Sequence, residues 1–138
     1  MNKPFESEVL IRFHHCDPAG IVFYPQYFVL FNELMEDWFN HGLEVNFALF
    51  HIRGRLGLPA VKVECEFLAP CKIGEILRLR LSVKRIGRTS LTLNIEGRGP
   101  GNEIRVQATL VVVLAELDTF RPAPLSGELL EKVQRFVL

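Results

Sequence analysis

Residues 25–39 read PQYFVLFNELMEDWF, and their apolar side chains recur every three or four positions. Polar residues fill the opposite side, a pattern that predicts an amphipathic helix with a broad apolar stripe. Pro25 suits the first turn of this helix, where a missing backbone N–H costs nothing, and Gly42 suits its end. The predicted core positions are Phe28, Phe31, Leu34, Met35, Trp38 and Phe39.

Strands are predicted before and after this helix along the chain, because apolar and polar residues alternate in those stretches. The alternating stretches are 8–13, 61–67, 77–84, 91–96 and 104–113. The links between the later stretches are short and contain glycine, which favours antiparallel neighbours. Shorter helices are predicted over 44–53 and after Ser126, which suits an N-cap. The order predicts a single α+β domain over 1–138, with one five-stranded antiparallel sheet and a long helix.

One long helix covers only one face of such a sheet, so we expect a second copy of the chain to bury apolar surface that remains. The last strand is the predicted source of this surface. Val111 and Val113 make its second face apolar beside Leu110 and Val112.

The composition is that of an ordinary globular protein, with 138 residues, 49% hydrophobic and 23% charged. Lys and Arg total 16 and Asp and Glu total 16, a balance that disfavours a general nucleic-acid binder. No apolar stretch is long enough for a membrane span, and the N-terminus has no apolar signal core. A cytoplasmic protein with three reduced cysteines is therefore expected.

Charge is distributed unevenly along the chain. The first 69 residues contain 9 acidic and 5 basic side chains, whereas residues 70–138 contain 7 acidic and 11 basic ones. Solvated strand faces explain such a bias. A patch for an anionic ligand explains it as well, and both interpretations stay open.

The loop before the long helix, His14-His15-Cys16-Asp17-Pro18-Ala19-Gly20, carries the densest group of reactive side chains. Asp followed by Pro favours turns, so Asp17 suits a structural role. A carboxylate just before a helix also suits a nucleophile or general base, because the helix N-terminus stabilises an anion.

The stretch 15–27, HCDPAGIVFYPQY, resembles the signature of the 4-hydroxybenzoyl-CoA thioesterase family. Gly57-x-Pro59 and the turn 84–90, KRIGRTS, agree with that family more weakly. The resemblance covers nearly the whole chain and implies a hotdog fold, a five-stranded antiparallel sheet wrapped around a helix. It implies homodimers, commonly paired into tetramers, with active sites at the dimer interface. It also implies acyl-CoA hydrolysis without metal or cofactor.

Carried over by position, the resemblance makes Asp17 the catalytic carboxylate and the backbone N–H of Tyr24 the carbonyl polariser. Gly20 would allow close backbone approach, and Phe23 would line the acyl pocket. Asn32, two helical turns past Pro25, is placed to meet a distal substituent of the acyl group, for which an aromatic group is favoured.

The turn that contains Arg88 is predicted to hold the phosphates of CoA, because arginine suits bidentate phosphate contacts. The other residues of this predicted CoA site are Lys84, Arg85, Thr89 and Ser90.

Other functions remain as alternatives. A non-catalytic hotdog module that binds acyl-CoA or acyl carrier protein is the main one, and Asp17 distinguishes it from an enzyme. Cys16 is a weaker candidate nucleophile, since no cysteine-hydrolase signature surrounds it. His14 and His15 are adjacent at a predicted strand end, so they should point to opposite faces and chelate one metal poorly. A hotdog dehydratase would need an acid–histidine pairing that the sequence does not show.

Overall fold

The computed structural model describes residues 2–138. Its strands are β1 (Phe5–Leu10), β2 (Leu56–Gly57), β3 (Ala60–Phe67), β4 (Ile76–Ile86), β5 (Ser90–Arg98), β6 (Ile104–Val113) and β7 (Ala115–Glu116). Its helices are α1 (Pro25–Asp37), α2 (Phe47–Ile52) and α3 (Gly127–Gln134), with a 3-10 turn at Phe13–His15 and a π-helical turn at Trp38–Leu43.

The main sheet has the order β1-β4-β5-β6-β3, and every neighbouring pair is antiparallel. Alternate residues of β4, β5 and β6 are buried, so one face of these strands forms the core together with α1. The predicted α+β architecture, a long helix against five antiparallel strands, is confirmed. A small ladder of β2 and β7 was not predicted, because two-residue strands leave no periodic signal.

The long helix buries most of its predicted stripe. Leu34, Met35, Trp38 and Phe39 are among its buried residues. The prediction for Phe28 was wrong, because its side chain is 41% exposed. The predicted stop at Gly42 was also wrong, since the helix continues as the π-helical turn and ends at Glu44 in the left-handed conformation.

The first strand begins and ends earlier than its alternation predicted. Ile11 is buried as expected, but Phe13 lies in the 3-10 turn and is 84% exposed. Ser126 precedes α3 at the N-cap position, and its side chain makes no capping hydrogen bond.

The exposed apolar surface lies on β3, not on β6 as the sequence predicted. Val61, Val63 and Phe67 of β3 are exposed, whereas β6 alternates between buried and half-buried residues because β3 and β5 flank it. Since β3 is an edge strand, its outer row of backbone N–H and C=O groups is unpaired. None of the helices within residues 2–138 combines the length and the apolar character that crossing a membrane requires.

Candidate active site

Asp17 lies in a tight loop between the 3-10 turn and α1. The loop folds back on itself through a bridge between Cys16 and Val22, and the N–H of Asp17 donates to Ile21 O at 3.1 Å. The Asp17 carboxylate accepts the N–H of Ala19 through Oδ1 at 2.8 Å, whereas Oδ2 makes no hydrogen bond with any residue of 2–138. The side chain therefore closes a turn and still has one oxygen free.

The turn inside this loop depends on Gly20. Its N–H donates to Asp17 O at 2.9 Å, and its φ is +79°, a conformation that side chains other than glycine's rarely adopt. A Cβ at Gly20 would meet no atom within 4 Å. In this chain the backbone angle, not the predicted close approach, is what requires glycine.

The N-terminus of α1 offers one backbone donor. Gln26 and Tyr27 donate to the carbonyls of Phe23 and Tyr24, and Pro25 has no N–H. The N–H of Tyr24 makes no hydrogen bond within residues 2–138. A donor at a helix start that remains unpaired is suited to polarise a carbonyl or stabilise an oxyanion.

Aromatic side chains cluster at this start of α1. Phe23 and Tyr24 are 47% and 59% exposed, with ring centroids 5.5 Å apart. Phe67, at the end of β3, lies 6.1 Å from Tyr24 and 5.5 Å from Tyr27 between ring centroids. Phe67 was not predicted as a site residue, because alternation indicates a strand there and does not show that the strand ends beside α1.

An apolar groove lies between α1 and β3, with a volume of about 230 Å³. Asn32 is the one lining residue with a polar side chain among those described. The other lining residues are Phe28, Phe31, Met35, Leu58, Pro59, Ala60, Val63, Leu110 and Val112. Phe28, which the sequence assigned to the core, is therefore part of the groove wall.

The turn predicted to bind CoA lies between β4 and β5. Lys84, Arg85 and Arg88 are exposed, and none forms a salt bridge within residues 2–138. Thr89 and Ser90 are half-buried, and Thr89 O accepts the N–H of Leu114. These unpaired cations are chemically suited to phosphate groups.

Within one chain, however, this turn is far from Asp17. The end of β1, which leads to the Asp17 loop, pairs with Ile76 at the start of β4, and the basic turn follows Ile86 at the other end. At about 3.3 Å per residue, the two ends of β4 are about 33 Å apart. The structure therefore does not bring the predicted catalytic and CoA-binding residues together in a single chain.

The three cysteines are free thiols, of which Cys71 is buried and Cys16 and Cys65 are half-buried. Burial raises the pKa of Cys16, Cys65 and Cys71, and the Asp17 carboxylate raises that of Cys16 further. A thiol with a raised pKa is protonated near neutral pH and is a weak nucleophile. This disfavours the alternative in which Cys16 attacks the substrate.

His14 and His15 are not at a strand end, so the geometric reason given for their separation was wrong. Both lie in the 3-10 turn, with ring centroids 4.1 Å apart. His15 is buried, and its Nδ1 accepts the N–H of Arg12 at 2.9 Å. Across residues 2–138, no three His, Cys, Asp or Glu side chains are grouped as metal ligands.

Solved structures share this architecture. A 1,4-dihydroxy-2-naphthoyl-CoA thioesterase from Synechocystis is 20% identical, with 96% of each chain covered and a TM-score of 0.86. A gentisyl-coenzyme A thioesterase is 22% identical, covers 94% of this chain and 99% of its own, and has a TM-score of 0.83. These similarities confirm the predicted hotdog fold.

Sequence comparison gives a closer assignment. A 1,4-dihydroxy-2-naphthoyl-CoA hydrolase from Acaryochloris marina is 25% identical over 130 residues, which are 93% of this chain and 94% of that protein. The family model described as "Thioesterase superfamily" matches residues 19–105, more than half of the chain. This range contains Gly20, Tyr24 and every groove-lining residue except Leu110 and Val112. On that match the chain belongs to the thioesterase superfamily.

Proposed function

We propose that this protein hydrolyses the thioester of an aromatic acyl-CoA, giving the free acid and CoA. The observation that supports it is the juxtaposition on one loop of a carboxylate oxygen without a hydrogen bond, on Asp17, and an unpaired N–H, on Tyr24. This loop leads directly into α1, the helix that forms one wall of the apolar groove.

Asp17 has two chemical routes to the products. Its free oxygen can attack the thioester carbon, expel the CoA thiolate and form an anhydride that water then cleaves. Alternatively, it can accept a proton from a water molecule that attacks the same carbon. In both routes the thiolate leaves and the oxygen that completes the acid comes from water.

The N–H of Tyr24 would donate to the carbonyl oxygen of the thioester as negative charge develops on it. Because the carbon becomes tetrahedral in either route, a fixed donor contributes more in the transition state than in the ground state. Loss of one such donor typically costs about 2.7–4 kcal/mol of transition-state stabilisation.

An aromatic acyl group suits the groove. Its volume of about 230 Å³ exceeds the roughly 150 Å³ of a cavity that accepts benzene, so one or two fused rings can fit. The relatives described above act on 1,4-dihydroxy-2-naphthoyl-CoA and gentisyl-CoA. We propose an acyl group with a ring hydroxyl, to which the Asn32 amide would hydrogen-bond; 4-hydroxybenzoyl-CoA is one such substrate.

The phosphates of CoA would bind to Arg88, Lys84 and Arg85 of a second copy of the chain. The separation along β4 excludes the turn of the same chain as a partner for Asp17. If two chains pair through their β3 edges about a two-fold axis, the strands of the second chain run in the opposite direction to those of the first. The basic turn of the second chain would then lie at the same end of the combined sheet as the Asp17 loop of the first chain.

The test is a substrate panel measured on wild type, Asp17→Asn and the matched control Asp37→Asn. The panel contains benzoyl-CoA, 4-hydroxybenzoyl-CoA, 1,4-dihydroxy-2-naphthoyl-CoA and hexanoyl-CoA. We expect the hydroxylated aromatic substrates to have the highest kcat/KM. Asp17→Asn should lower single-turnover hydrolysis by about 10²-fold or more and preserve binding, whereas Asp37→Asn should have no such effect.

The hydrogen bond from Ala19 to Asp17 favours one competing function, a module that binds acyl-CoA or acyl carrier protein without catalysis. There Asp17 would only close its turn, and asparagine would replace it well because it favours the same turns. Normal single-turnover rates in a folded Asp17→Asn protein that binds CoA would contradict the catalytic proposal and leave this function in front.

A further inference from the structure

The Asp17 loop is held by a second segment, residues 70–75, which we call the strap. The N–H of Val22 donates to Cys71 O at 2.9 Å, and the N–H of Ile73 donates to Gly20 O at 3.1 Å. Between these bonds Ile21 and Lys72 form an antiparallel bridge. The return limb of the catalytic loop and the strap are therefore a short two-stranded ladder.

A single arginine of the sheet holds the strap at both ends. Arg105 of β6 donates through Nη1 to Pro70 O at 2.5 Å, and its Nη1 and Nη2 lie 3.1 and 3.3 Å from the Glu75 carboxylate. The Arg105 side chain is only 13% exposed. Its donors thus link the first and last residues of the strap to the start of β6.

Glu75 continues the connection into the ladder. Its Oε1 also accepts the N–H of Lys72 at 2.7 Å, next to the bridge with Ile21. The hydrogen bond to Arg105, followed by that from Lys72, lowers the pKa of Glu75, so the ion pair is complete at neutral pH. Arg105 is therefore connected to the Asp17 loop in three steps. Arg105 binds Pro70 and Glu75, these residues belong to the strap, and the strap backbone is hydrogen-bonded to residues 20–22 of the loop.

We propose that Arg105 is a positioning residue for Asp17, and that it fixes the orientation of the catalytic loop through Pro70, Glu75 and the strap. The proposal rests on the function proposed above. The bonds inside the Asp17 turn fix its shape, and the ladder with the strap holds residues 20–22 of the loop against residues 71–73. A displacement of about 1 Å in a reacting group can cost about 10²-fold in rate.

The test is Arg105→Lys, compared with Arg98→Lys as a matched control. Lysine keeps the charge but has no planar fork, so it cannot hold Pro70 and Glu75 together. Arg98 of β5 is similarly placed, with an ion pair to Glu96 at 2.8 Å, and it has no contact with the strap. Both variants lose an arginine that joins a carboxylate to a backbone carbonyl in the same sheet, and only Arg105→Lys should disturb the loop.

We expect Arg105→Lys to lower kcat about tenfold or more, to change KM by less than about twofold, and to accelerate amide exchange at Val22 and Ile73. Arg98→Lys should leave kcat and both exchange rates at wild-type values. Glu75→Gln should also lower kcat and accelerate the same amide exchange. The double variant Arg105→Lys/Glu75→Gln should have a kcat no lower than that of the less active single variant, because both residues act through one connection. These results would support the proposal.

Two outcomes would overturn it, and they differ. A folded Arg105→Lys enzyme with wild-type kcat, in a protein that does require Asp17, would refute the role of Arg105 alone. A wild-type protein that hydrolyses no acyl-CoA of the panel, or that does so without Asp17, would refute the proposed function and this inference together.

Discussion

The two oxygens of the Asp17 carboxylate have different surroundings, and this makes one substitution unusually informative. Oδ1 accepts the N–H of Ala19, and Oδ2 has no partner within residues 2–138. Asparagine retains an acceptor oxygen for Ala19 and removes the charge. A loss of hydrolysis in Asp17→Asn would therefore report on chemistry at the free oxygen and not on collapse of the turn.

His15 predicts a dependence of stability on acidic pH. Burial lowers its pKa, with a smaller contribution from His14; Glu33 opposes the shift and Arg12 adds to it. Protonation of Nδ1 would also break the hydrogen bond from Arg12. As the pH falls, His15 is therefore protonated in the unfolded chain before it is protonated in the folded one. The free energy of unfolding should then decrease as the pH drops below about 6.5.

Chemical denaturation at several pH values between 8 and 5 measures this effect. His15→Asn keeps an acceptor for Arg12 but does not titrate, so its stability should change less between pH 6.5 and 5. The exposed His41 provides the control, and His41→Asn should keep the wild-type slope. Equal slopes for His15→Asn and wild type would contradict the role of His15.

At the scale of elements, the π-helical turn that follows α1 is tightly packed around Gly42. A Cβ at Gly42 would lie 2.7 Å from Trp38 Cδ1 and 3.1 Å from Phe5 Cδ1, and Trp38 is fully buried. Gly→Ala in an ordinary helix stabilises by about 0.5–1 kcal/mol. Here overpacking should dominate, so we expect Gly42→Ala to destabilise the protein by about 1–3 kcal/mol in urea denaturation. Unchanged or increased stability would show that the π-helical turn adjusts freely.

The elements themselves were largely predictable, because each has a clear period of apolar residues. Sequence alternation placed β3 to β6 within a few residues of their observed bounds. The ends were less predictable: Phe13 alternates like a strand residue but enters a 3-10 turn, and Gly42 looks like a stop but packs under Trp38. The periodicity of a short stretch of sequence does not show which residues distant in the chain pack against it, and these contacts determine where such elements end.

The candidate site was predictable in part. Residues 15–27 carry the family resemblance in one contiguous stretch, so Asp17 and Tyr24 were identified directly. Their catalytic roles stay predictions. Phe67 and the strap were not identified, because they meet the loop from distant parts of the chain. The predictions of a hotdog fold and of a thioester hydrolase are confirmed by the relatives and the family, whereas the 4-hydroxybenzoyl group stays a prediction.

At the scale of the whole molecule, we predict a homo-oligomer that pairs along β3. Val61 is 62% exposed on an edge strand whose outer backbone groups are unpaired. In sedimentation at micromolar concentration, wild type should be a dimer or larger. Val61→Lys should shift it toward monomer, because a charge on the edge opposes pairing. Ile52→Lys, at an apolar residue of α2 that is 69% exposed, should keep the wild-type size. A wild-type monomer would contradict the prediction.

The Asp17 loop and the Arg88 turn lie toward opposite ends of β4, and this separation leads to a genetic prediction. If Asp17 of one chain works with Arg88 of its partner, a dimer of Asp17→Asn and Arg88→Ala chains contains one site with both lesions and one site with neither. Such mixed dimers, isolated by two different tags, should have about half of the wild-type rate at limiting acyl-CoA, since one of two symmetric sites is intact. The Asp17→Asn and Arg88→Ala homodimers should each have rates well below that value. If the mixed dimers are no faster than these homodimers, both residues serve a site within the same chain.

Inactivating alleles of this gene should accordingly fall into two groups, one at each end of β4. Alleles from different groups should complement one another in a cell that carries both.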